Sequence, residues 1–455
     1  MSYVKKERSV PMRRVKLEKW VITLVVIVLV MGVALTSSLA QNPVTIKFAH
    51  FYDPMAGPGH IMNIEWLEKT VAAFEEENPG IKVEFEWAKW DEIDIRSIRD
   101  YAAGIPHDVM MSSPQLMPKH AIAGDYLDLT SYVAKWPKPR AEDINWTPVW
   151  GKLFPLGIPL GIHTRTTVYR RDFFERYGLD PDRVPEDLES LIEYAQFLTR
   201  DTDGDGRTDI WGLGMYFGAS RATIELYFAP YIWNFDGKLW DPETKRADFA
   251  SEAGVKATRF VYDLVNTYKV TPEWSTVGTY DEVGLINFLN GTYAMFTGFG
   301  SYWIGPLEDK GWVTGIFPPK PYGKATVADV FVAATKPQAQ FTNAWGLSIN
   351  KLSEHPDESF KFIDFIVTPE RLVDYPDAGL PTLLSLWDKP ELQTDFYQKW
   401  LKAAMYGKSM PYTAYYGELA DTVAAALQEI LIKKVPIEAT LKKFEDEYNA
   451  KYAGE

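Results

Sequence analysis

The chain has 455 residues, with 62 acidic and 48 basic side chains, a formal net charge of −14 and no cysteine. A chain of this length usually divides its hydrophobic core, so two domains are expected. An acidic chain without a basic stripe does not favour nucleic-acid binding, because phosphates require clustered Lys and Arg. The absence of cysteine excludes disulfides, thiolate zinc sites, cysteine nucleophiles and a lipid-bearing N-terminal cysteine.

The first 40 residues have the three parts of a secretory signal. The stretch 5–19 is basic, 21–35 is apolar and 38–40 is a cleavage site of small residues. The apolar run is shorter than the roughly 20 residues that a membrane-spanning helix needs. We therefore predict a signal peptide over 1–40 and a mature chain that begins at Gln41 outside the cytoplasm. An uncleaved membrane anchor is the alternative.

The mature chain begins with alternating strands and helices. Period-two alternation predicts strands over Val44–His50, Ile81–Trp87 and Val109–Ser112, and helical patterns cover 64–74 and 90–103. This order builds a parallel sheet with right-handed crossovers, and ligands of such sheets bind at the carboxyl ends of the strands. The residues near these ends that we expect to contact a ligand are Asp53, Trp87, Trp90 and Ser113.

A second strand–helix unit is predicted within 341–370. The stretch 345–349 alternates large apolar and small residues and is typical of a buried strand. Pro356 suits the first turn of the helix that follows, and Pro369 is expected to stop that helix. Trp345, at the start of this strand, is the aromatic residue that we expect first to contact a ligand.

Aromatic residues are abundant, with 16 Trp, 25 Tyr and 24 Phe. Sugars stack their C–H faces on such rings, while their hydroxyl groups bond carboxylates and amides. Packing in the core is the alternative role for any one ring. The candidate aromatic contacts are Trp87, Trp90, Trp233, Phe299, Tyr302, Trp303, Trp345 and Tyr412, and it stays open which of Phe299, Tyr302 and Trp303 faces a ligand. Their expected polar partners are Asp53, Glu86, Asp91, Arg165, Glu225 and Asn234.

One acidic segment has the spacing of a calcium-binding loop. Asp201, Asp203, Asp205 and Asp209 occupy its first, third, fifth and ninth positions, with a glycine at the sixth. The twelfth position is Gly212 rather than the usual bidentate Glu. Two interpretations stay open: a structural calcium site, and an Asx-rich surface turn without an ion.

Five stretches resemble the family 1 extracellular solute-binding proteins, the carbohydrate-type receptors of ABC importers. They are FEEENPGIKV at 74–83, PHDV at 106–109, AGDYLDLT at 123–130, VYRRDFFERYG at 168–178 and WGLSINKLSEHPDESFKFIDFIVTPE at 345–370. Together these stretches span almost the whole mature chain. The chain is therefore identified as similar to this maltose-binding-protein-like family.

The resemblance implies an α/β, two-lobed periplasmic-binding-protein-like fold of type II. Each lobe is expected to be a mainly parallel sheet flanked by helices, with the ligand in the cleft between the lobes. The segment 152–160 resembles the family's first crossing between the lobes, and 316–326 resembles the second. The implied first lobe comprises 41–157 and 326–376, and the implied second lobe comprises 158–325 and the C-terminal helices within 377–455.

The resemblance also implies a function. A sugar or oligosaccharide is bound and delivered to the permease subunits of an ABC transporter, at the outer face of the cytoplasmic membrane, with no cofactor beyond the possible calcium ion. A secreted carbohydrate-active hydrolase is the alternative, because two suitably spaced carboxylates could carry glycoside hydrolysis. The sequence contains no His-Glu-x-x-His and no Gly-x-Ser-x-Gly motif. We therefore expect a binding protein with no catalytic residues.

Overall fold

The computed structural model describes residues 43–55, 58–145, 155–278, 283–300, 328–331, 340–376, 380–393, 395–405 and 407–454. The predicted signal peptide, the predicted second crossing over 316–326, and the candidates Tyr302 and Trp303 lie outside the described residues, as does part of the predicted first crossing. Among the described residues, no helix combines the length and apolar character that crossing a membrane requires.

The strands and helices alternate along most of the chain. The strands are β1 (Val44–His50), β2 (Ile81–Trp87), β3 (Val109–Ser112), β4 (Ile158–Pro159), β5 (Gly161–Arg170), β6 (Trp211–Gly214), β7 (Trp240–Asp241), β8 (Arg246–Ala247), β9 (Tyr293–Gly300), β10 (Ala328–Phe331), β11 (Gln340–Asn343), β12 (Gly346–Ile349), β13 (Leu380–Pro381) and β14 (Gly407–Lys408). The predicted strands over Val44–His50, Ile81–Trp87 and Val109–Ser112 are confirmed with the same boundaries.

The helices are α1 (Pro58–Glu77), α2 (Ile93–Ala103), α3 (Met117–Ala123), α4 (Thr130–Val133), α5 (Lys138–Asp143), α6 (Arg171–Tyr177), α7 (Leu188–Leu198), α8 (Arg221–Thr223), α9 (Ala229–Asn234), α10 (Glu252–Asn266), α11 (Val283–Leu289), α12 (Pro356–Ile366), α13 (Pro369–Leu372), α14 (Asp395–Met405), α15 (Tyr416–Lys433) and α16 (Ile437–Tyr452). A π-helical turn, Ile224–Phe228, joins α8 to α9. Short 3₁₀ turns lie at Pro114–Leu116, Glu273–Thr276, Leu384–Leu386 and Pro390–Gln393.

The first lobe is built on a sheet with the strand order β2-β1-β3-β12-β4. β1 is parallel to β2 and β3, and His50 lies opposite Trp87, so the carboxyl ends of these strands meet at one edge. β12 runs antiparallel to β3 and β4. Fully buried rings of α1 and α12 pack behind the sheet, with the centroids of Phe74 and Phe362 5.1 Å apart.

The second lobe is organised around β5. Its sheet has the order β14-β11-β5-β9-β6, and β10 and β13 also pair with β5. β5 is buried along all 10 of its residues and runs antiparallel to β9, β10, β11 and β13. The predicted two-lobed α/β fold is confirmed, but the sheets are mixed rather than mainly parallel. In the second sheet β6 runs parallel to β9 and β11 runs parallel to β14, so both strand directions occur there.

Two neighbouring connections cross between the lobes, and we call them the crossing pair (158–164 and 342–347). One leads from β4 to β5 through Leu160, and the other returns from β11 to β12 through Ala344 and Trp345. Leu160 N donates a hydrogen bond to Trp345 O at 2.8 Å. The strands on both sides of this bond are also paired, β4 with β12 and β5 with β11. The lobes are therefore joined by a narrow antiparallel ribbon.

This pairing corrects two predicted boundaries. Ile158 and Pro159 belong to the first sheet, although the sequence places the start of the second lobe at 158. β10 and β11 pair with β5, so the return to the first lobe occurs at Gly346 rather than at 326. The described return crossing lies within FTNAWGLSI at 341–349, which contains no proline, whereas the Pro-rich stretch 316–326 suggests a boundary more strongly.

Helix ends follow local chemistry. The carboxylate of Asp187 accepts a hydrogen bond from Ser190 N at 2.8 Å, and the Ser190 side chain bonds back to Asp187 N, which completes a capping box at the start of α7. α12 begins at Pro356 as predicted and ends at Ile366. Pro369 does not itself end that helix but opens the next one, α13.

A buried network of polar side chains fixes the loop that follows β3. Its members are Asp94, Ser97, Ser113, His120 and Asp125, none more than 1% exposed. The imidazole of His120 lies between two carboxylates, with Nδ1 2.9 Å from Asp125 Oδ2 and Nε2 3.2 Å from Asp94 Oδ1. Ser113 donates to Asp94 through N and Oγ, at 3.1 and 2.9 Å. The network therefore ties α2, α3 and the end of β3 together.

The network holds His120 in its protonated form. Burial alone lowers the pKa of an imidazole, but the hydrogen bonds and charges of Asp125 and Asp94 outweigh burial and raise the pKa of His120 to about 9. A folded-state pKa above the unfolded value of 6.5 means that the protonated group stabilises the fold. This stabilisation is complete below about pH 6.5 and is lost as the pH rises through about 9.

We therefore expect the melting temperature of the ligand-free protein to fall between about pH 7 and about pH 9.5. His120→Gln removes the titrating group, so its melting temperature is expected to be lower at neutral pH but to change less over the same interval. Thermal unfolding of both proteins at matched ionic strength measures the two slopes. Equal slopes would contradict the assignment of the stabilising charge to His120.

Candidate functional site: the cleft between the lobes

A cleft of about 490 Å³ opens beside the crossing pair. The first lobe contributes the 3₁₀ turn Pro114–Leu116, which directly follows β3. The second lobe contributes Trp233, Trp240, Asn343 and Tyr412, among others. The volume lies within the range of roughly 300–1,000 Å³ that is typical of small-molecule sites.

Local structure brings four aromatic residues to this cleft, namely Phe341 of β11 and three others. Trp233 lies in α9, directly after the π-helical turn Ile224–Phe228, a turn type that is frequent at functional sites. Trp240 opens β7, and Tyr412 follows β14. Trp233 is 7% exposed and Tyr412 is 47% exposed. The wall therefore combines a fixed ring with an accessible one.

Two carboxamide side chains of the cleft each have an acceptor without a donor. Gln115 Oε1 and Asn343 Oδ1 are buried and have no hydrogen-bond partner among the described residues. The residues are 5% and 3% exposed, respectively. Because a buried acceptor without a donor destabilises the structure, these two atoms are expected to accept hydrogen bonds from a ligand.

The charged side chain on the described walls of this cleft is already paired. Lys238 Nζ lies 3.0 Å from Asp241 Oδ2. The hydrogen bond to Asp241 raises the pKa of Lys238, and the charge of Asp241 acts in the same direction. The ammonium group is therefore neutralised by a neighbour on its own lobe.

The two lobes also touch through two further contacts. Arg221 Cζ of α8 lies 4.8 Å from the ring centroid of Trp90, which follows β2. Lys119 Nζ of α3 lies 3.0 Å from Glu418 Oε1 of α15. Trp90 and Lys119 belong to the first lobe, and Arg221 and Glu418 belong to the second. Both contacts must break if the lobes move apart.

A buried charged cluster holds Arg221 in place. Glu225, in the π-helical turn, accepts a hydrogen bond from Tyr416 Oη at 2.8 Å and lies 3.4 Å from Arg221 Nε. Burial raises the pKa of Glu225, while Arg221, the Tyr416 hydrogen bond and Arg165 act in the opposite direction. Burial and the charge of Glu225 raise the pKa of the Tyr416 hydroxyl. The cluster therefore positions the guanidinium group against Trp90.

The sequence profile of the bacterial extracellular solute-binding proteins matches residues 63–371 of the chain. The chain belongs to this family. The match covers strands and helices of both lobes, including both connections of the crossing pair.

Similar proteins share the architecture of this solute-binding protein. An ABC transporter solute-binding protein of Thermotoga lettingae, bound with α-D-tagatose, has a TM-score of 0.75 at 19% identity, over 90% of this chain and 99% of that chain. An ABC substrate-binding protein of Listeria monocytogenes, in complex with cycloalternan, has a TM-score of 0.73 at 20% identity, over 90% of this chain and 98% of that chain. A Brucella abortus protein whose name describes it as a binding protein is 20% identical over 420 residues, which are 90% of this chain and 93% of that protein. These likenesses establish the fold.

Three predicted ligand contacts lie at the interface between the lobes. Trp233 and Tyr412 line the cleft, and Trp90 contacts Arg221. The predicted contacts Arg165 and Glu225 are buried in the second lobe. Arg165 Cζ lies 5.9 Å from the ring of Phe341, which itself lines the cleft. Ligand contact by these predicted residues stays a prediction.

Three other candidates are occupied by contacts within the protein. Trp345 is 6% exposed, and its ring centroid lies 4.2 Å from that of Phe51. Ser113 is fully buried and bonded to Asp94, and Phe299 is fully buried in β9. Their positions favour packing and support roles over direct ligand contact. Trp345 packs inside the protein because it lies in the crossing pair, where its ring contacts Phe51 in the loop after β1.

The remaining candidates lie outside the described walls of the cleft. Asp53 accepts a hydrogen bond from its own loop, at Met55 N, 2.8 Å away. Trp87 is 44% exposed at the end of β2. Glu86 and Asn234 bond to protein groups, and Asp91 is exposed. The expectation that ligands bind at the carboxyl ends of strands therefore identifies the edge of the first sheet that borders the cleft. The side chains at that edge, however, face several directions.

Sequence reasoning missed most residues of the cleft lining, among them Gln115, Trp240 and Asn343. Gln115 lies two positions after the predicted contact Ser113, so its amide could have been included at that strand end. Trp240 and Asn343 do not belong to any sequence motif that predicts ligand binding. They reach the cleft through the β7 hairpin and the crossing pair, which the sequence pattern alone does not bring together.

The predicted calcium loop brings three carboxylates together. Asp201, Asp203 and Asp209 each place an oxygen within 4.8 Å of the others, and all three are exposed. Asp205 instead accepts a hydrogen bond from Arg207 N at 2.8 Å. The donors are the hard oxygen ligands that calcium prefers, but they are fewer than the 6–8 oxygens of a complete calcium shell.

Two further observations limit the likeness to a complete calcium-binding loop. A Cβ atom at Gly212 would lie 1.8 Å from Ala195 O, so no side chain fits at the twelfth position. The carboxylate of Asp201 accepts hydrogen bonds from Gly204 N and Gly206 N, at 2.7 and 2.9 Å. Both glycines have a φ above +80°, which favours glycine. The loop is thus held by its own bonds, and calcium binding stays a prediction.

If calcium binds this loop, adding it to chelator-treated protein raises the melting temperature. An ion that binds only the folded state stabilises it by about 2.7 kcal/mol at a hundred times its Kd. We expect Asp203→Asn to abolish the shift, because it removes one converging carboxylate. Asp205→Asn is the matched control and is expected to keep most of the shift. An unchanged melting temperature in the unmodified protein would identify the loop as a turn without an ion.

Proposed function

We propose that this solute-binding protein is the extracytoplasmic receptor of an ABC importer and that it binds a sugar or oligosaccharide in the cleft. The observation that carries the proposal is the combination of the rings of Trp233, Trp240 and Tyr412 with the unpaired amide oxygens of Gln115 and Asn343 around one cavity. Rings stack on the C–H faces of a pyranose, and amides bond its hydroxyl groups. The proposed export signal is the segment 1–40.

The ligands of similar proteins support a saccharide. The Thermotoga lettingae protein is bound with tagatose, and the Listeria monocytogenes protein is in complex with cycloalternan. Both are carbohydrates, although they differ in size. In this chain, a cleft of about 490 Å³ leaves room for ligands of different length.

Ligand binding is proposed to hold the lobes together. A ligand that contacts Gln115 and Asn343 at the same time gains contacts from both lobes only in the closed form, so it shifts the population towards that form. The contacts Trp90–Arg221 and Lys119–Glu418 add to the closed form without touching the ligand. The closed protein would then dock on the permease and release its ligand unchanged.

The proposal includes no chemical step. Glycoside hydrolysis uses two carboxyl groups on either side of the scissile bond. Among the described residues that line the cleft, there is no Asp or Glu. The hydrolase alternative is tested by incubating the protein with an oligosaccharide panel and looking for cleavage products. Turnover at enzyme-like rates would overturn the receptor proposal.

Tyr412 provides a test of the stacking wall. Tyr412→Ala is expected to weaken binding about ten-fold, because the loss of one stacked ring costs about 1.4 kcal/mol. Its melting temperature without ligand is expected to change little, because the ring is 47% exposed. Calorimetry uses the compound that gives the largest thermal shift among mono- and oligosaccharides, amino acids and polyols.

Tyr268→Ala is the matched control for Tyr412, since Tyr268 is 38% exposed and lies outside the described walls of the cleft. The control is expected to keep the affinity of the unmodified protein. If both variants bind equally well, the cleft beside Tyr412 is not the ligand site. A thermal shift with amino acids and not with saccharides would contradict the proposed ligand class.

The Lys119–Glu418 contact provides a test of closure. Lys119→Glu places two like charges together and is expected to weaken ligand binding two- to five-fold, in line with about 0.5–1 kcal/mol for a partly exposed pair. The double variant Lys119→Glu/Glu418→Lys restores opposite charges and is expected to recover the affinity. Calorimetry at low salt measures both. Failure of the double variant to recover would show that the contact does not couple to binding.

A further inference from the structure

We infer that the cleft selects an uncharged saccharide and that Gln115 and Asn343 determine this specificity by binding its hydroxyl groups from opposite walls. The inference rests on the proposed function and adds to it the charge class of the ligand. It also assigns the specificity to two residues that neither the family motifs nor the aromatic pattern identifies.

Two buried amide oxygens of the cleft lack a hydrogen-bond donor among the described residues. Gln115 Oε1 and Asn343 Oδ1 are buried acceptors without a partner, on residues that are 5% and 3% exposed. Such atoms are rare in folded proteins, because each loses its bonds to water without gaining a protein donor. Both belong to the lining of the same cleft. A ligand with several O–H groups satisfies both acceptors at once.

The two amide side chains are anchored on backbone that is itself held by hydrogen bonds. Gln115 lies in the 3₁₀ turn Pro114–Leu116, whose preceding residue, Ser113, is bonded twice to Asp94 of the buried network. Asn343 ends β11, where its backbone pairs with His163 of β5. Both amides are therefore carried by fixed backbone on different sides of the cleft. Fixed groups discriminate between ligands better than mobile ones, because their positions do not adapt to a wrong partner.

The described lining of the cleft offers no unpaired charge to a ligand. Among the described residues that line the cleft, Lys238 is the one with a charged side chain, and Asp241 already pairs with it at 3.0 Å. A charged group that leaves water needs an opposite charge at the site. An amino acid carries both an ammonium and a carboxylate group, and the described lining offers no free partner for either. A neutral ligand avoids this penalty.

Aromatic rings give the cleft flat wall surfaces. Trp233, Trp240 and Tyr412 present flat rings to the cleft. A pyranose or furanose ring covers such a face with its C–H groups, whereas an open-chain polyol has no rigid face to match. Lys408 Nζ lies 6.0 Å from the ring centroid of Trp233 but is not part of the lining. An acidic saccharide that recruits Lys408 is therefore the competing occupant.

Two leucine variants test the roles of the amides. Gln115→Leu and Asn343→Leu keep a similar side-chain volume but remove the acceptor. Each is expected to weaken the binding of an uncharged saccharide by about five- to ten-fold, the value of one lost hydrogen bond. Neither is expected to lower the melting temperature of the ligand-free protein, because the removed oxygen has no protein partner. The two variants are independent, so one that misfolds leaves the other as the test.

Gln428→Leu is the matched control. The Gln428 amide donates to Thr276 O at 2.6 Å and to Phe217 O, so it is a paired amide that supports the second lobe. Its loss is expected to lower the melting temperature and leave the affinity unchanged. This pattern is the reverse of that expected for Gln115 and Asn343, which separates a specificity role from a structural one.

Calorimetry on the mature chain uses maltotriose, mannobiose and tagatose as uncharged probes, and galacturonate, glucosamine and L-glutamate as charged ones. The inference requires that at least one uncharged saccharide binds more tightly than all charged probes, and that both leucine variants weaken it. Tighter binding of galacturonate or glucosamine overturns the inference and leaves the saccharide receptor standing. Unchanged affinity in either folded leucine variant also overturns it. Binding of L-glutamate alone, or of no saccharide, overturns the proposed function and the inference with it.

Discussion

The structure depends on the narrow ribbon that carries the chain between its two sheets. Leu160 N and Trp345 O share a hydrogen bond of 2.8 Å where the two connections run side by side. The sheets diverge on either side of this bond, with β4 and β12 in one and β5 and β11 in the other. β13 pairs with Gly161 and Ile162 beside this bond, so the connection is a compact antiparallel ribbon about which we expect the lobes to hinge.

The position of the cleft beside this ribbon gives its residues different tasks. Trp345 is buried against Phe51 and stabilises the connection itself, whereas Asn343, two positions earlier, contributes to the cleft. On the opposite wall, the protonated His120 and its two carboxylates hold the turn that carries Gln115. The surface that we propose for ligand binding is thus supported on one side by a buried polar network.

Much of the fold could be predicted from the sequence. The alternation of residues over Val44–His50 and Ile81–Trp87 predicts both strands with their observed boundaries. Motifs spread along the chain indicate the two-lobed family, which the match over 63–371 establishes. The mixed direction of the strands could not be predicted, because it depends on which distant strands pair, as β5 does with β9, β10 and β11.

The site was only partly predictable for a related reason. Trp233 and Tyr412 stand out as aromatic residues, and they do line the cleft. Trp345 has the same chemistry, but its surroundings are set by a residue that is distant in sequence, Phe51. Gln115 and Asn343 have ordinary sequence surroundings, and their importance appears only when their buried oxygens are found without partners.

The distance between the lobes, measured with and without saccharide, tests ligand-driven closure most directly. The chain has no cysteine, so a double variant with Lys69→Cys in α1 and Lys256→Cys in α10 takes one spin label on each lobe. Both positions are exposed. Pulsed electron spin resonance is expected to give a broad distribution without ligand and a shorter, narrower distance at saturating saccharide. An unchanged distribution under conditions where calorimetry records binding would contradict a ligand held between the lobes.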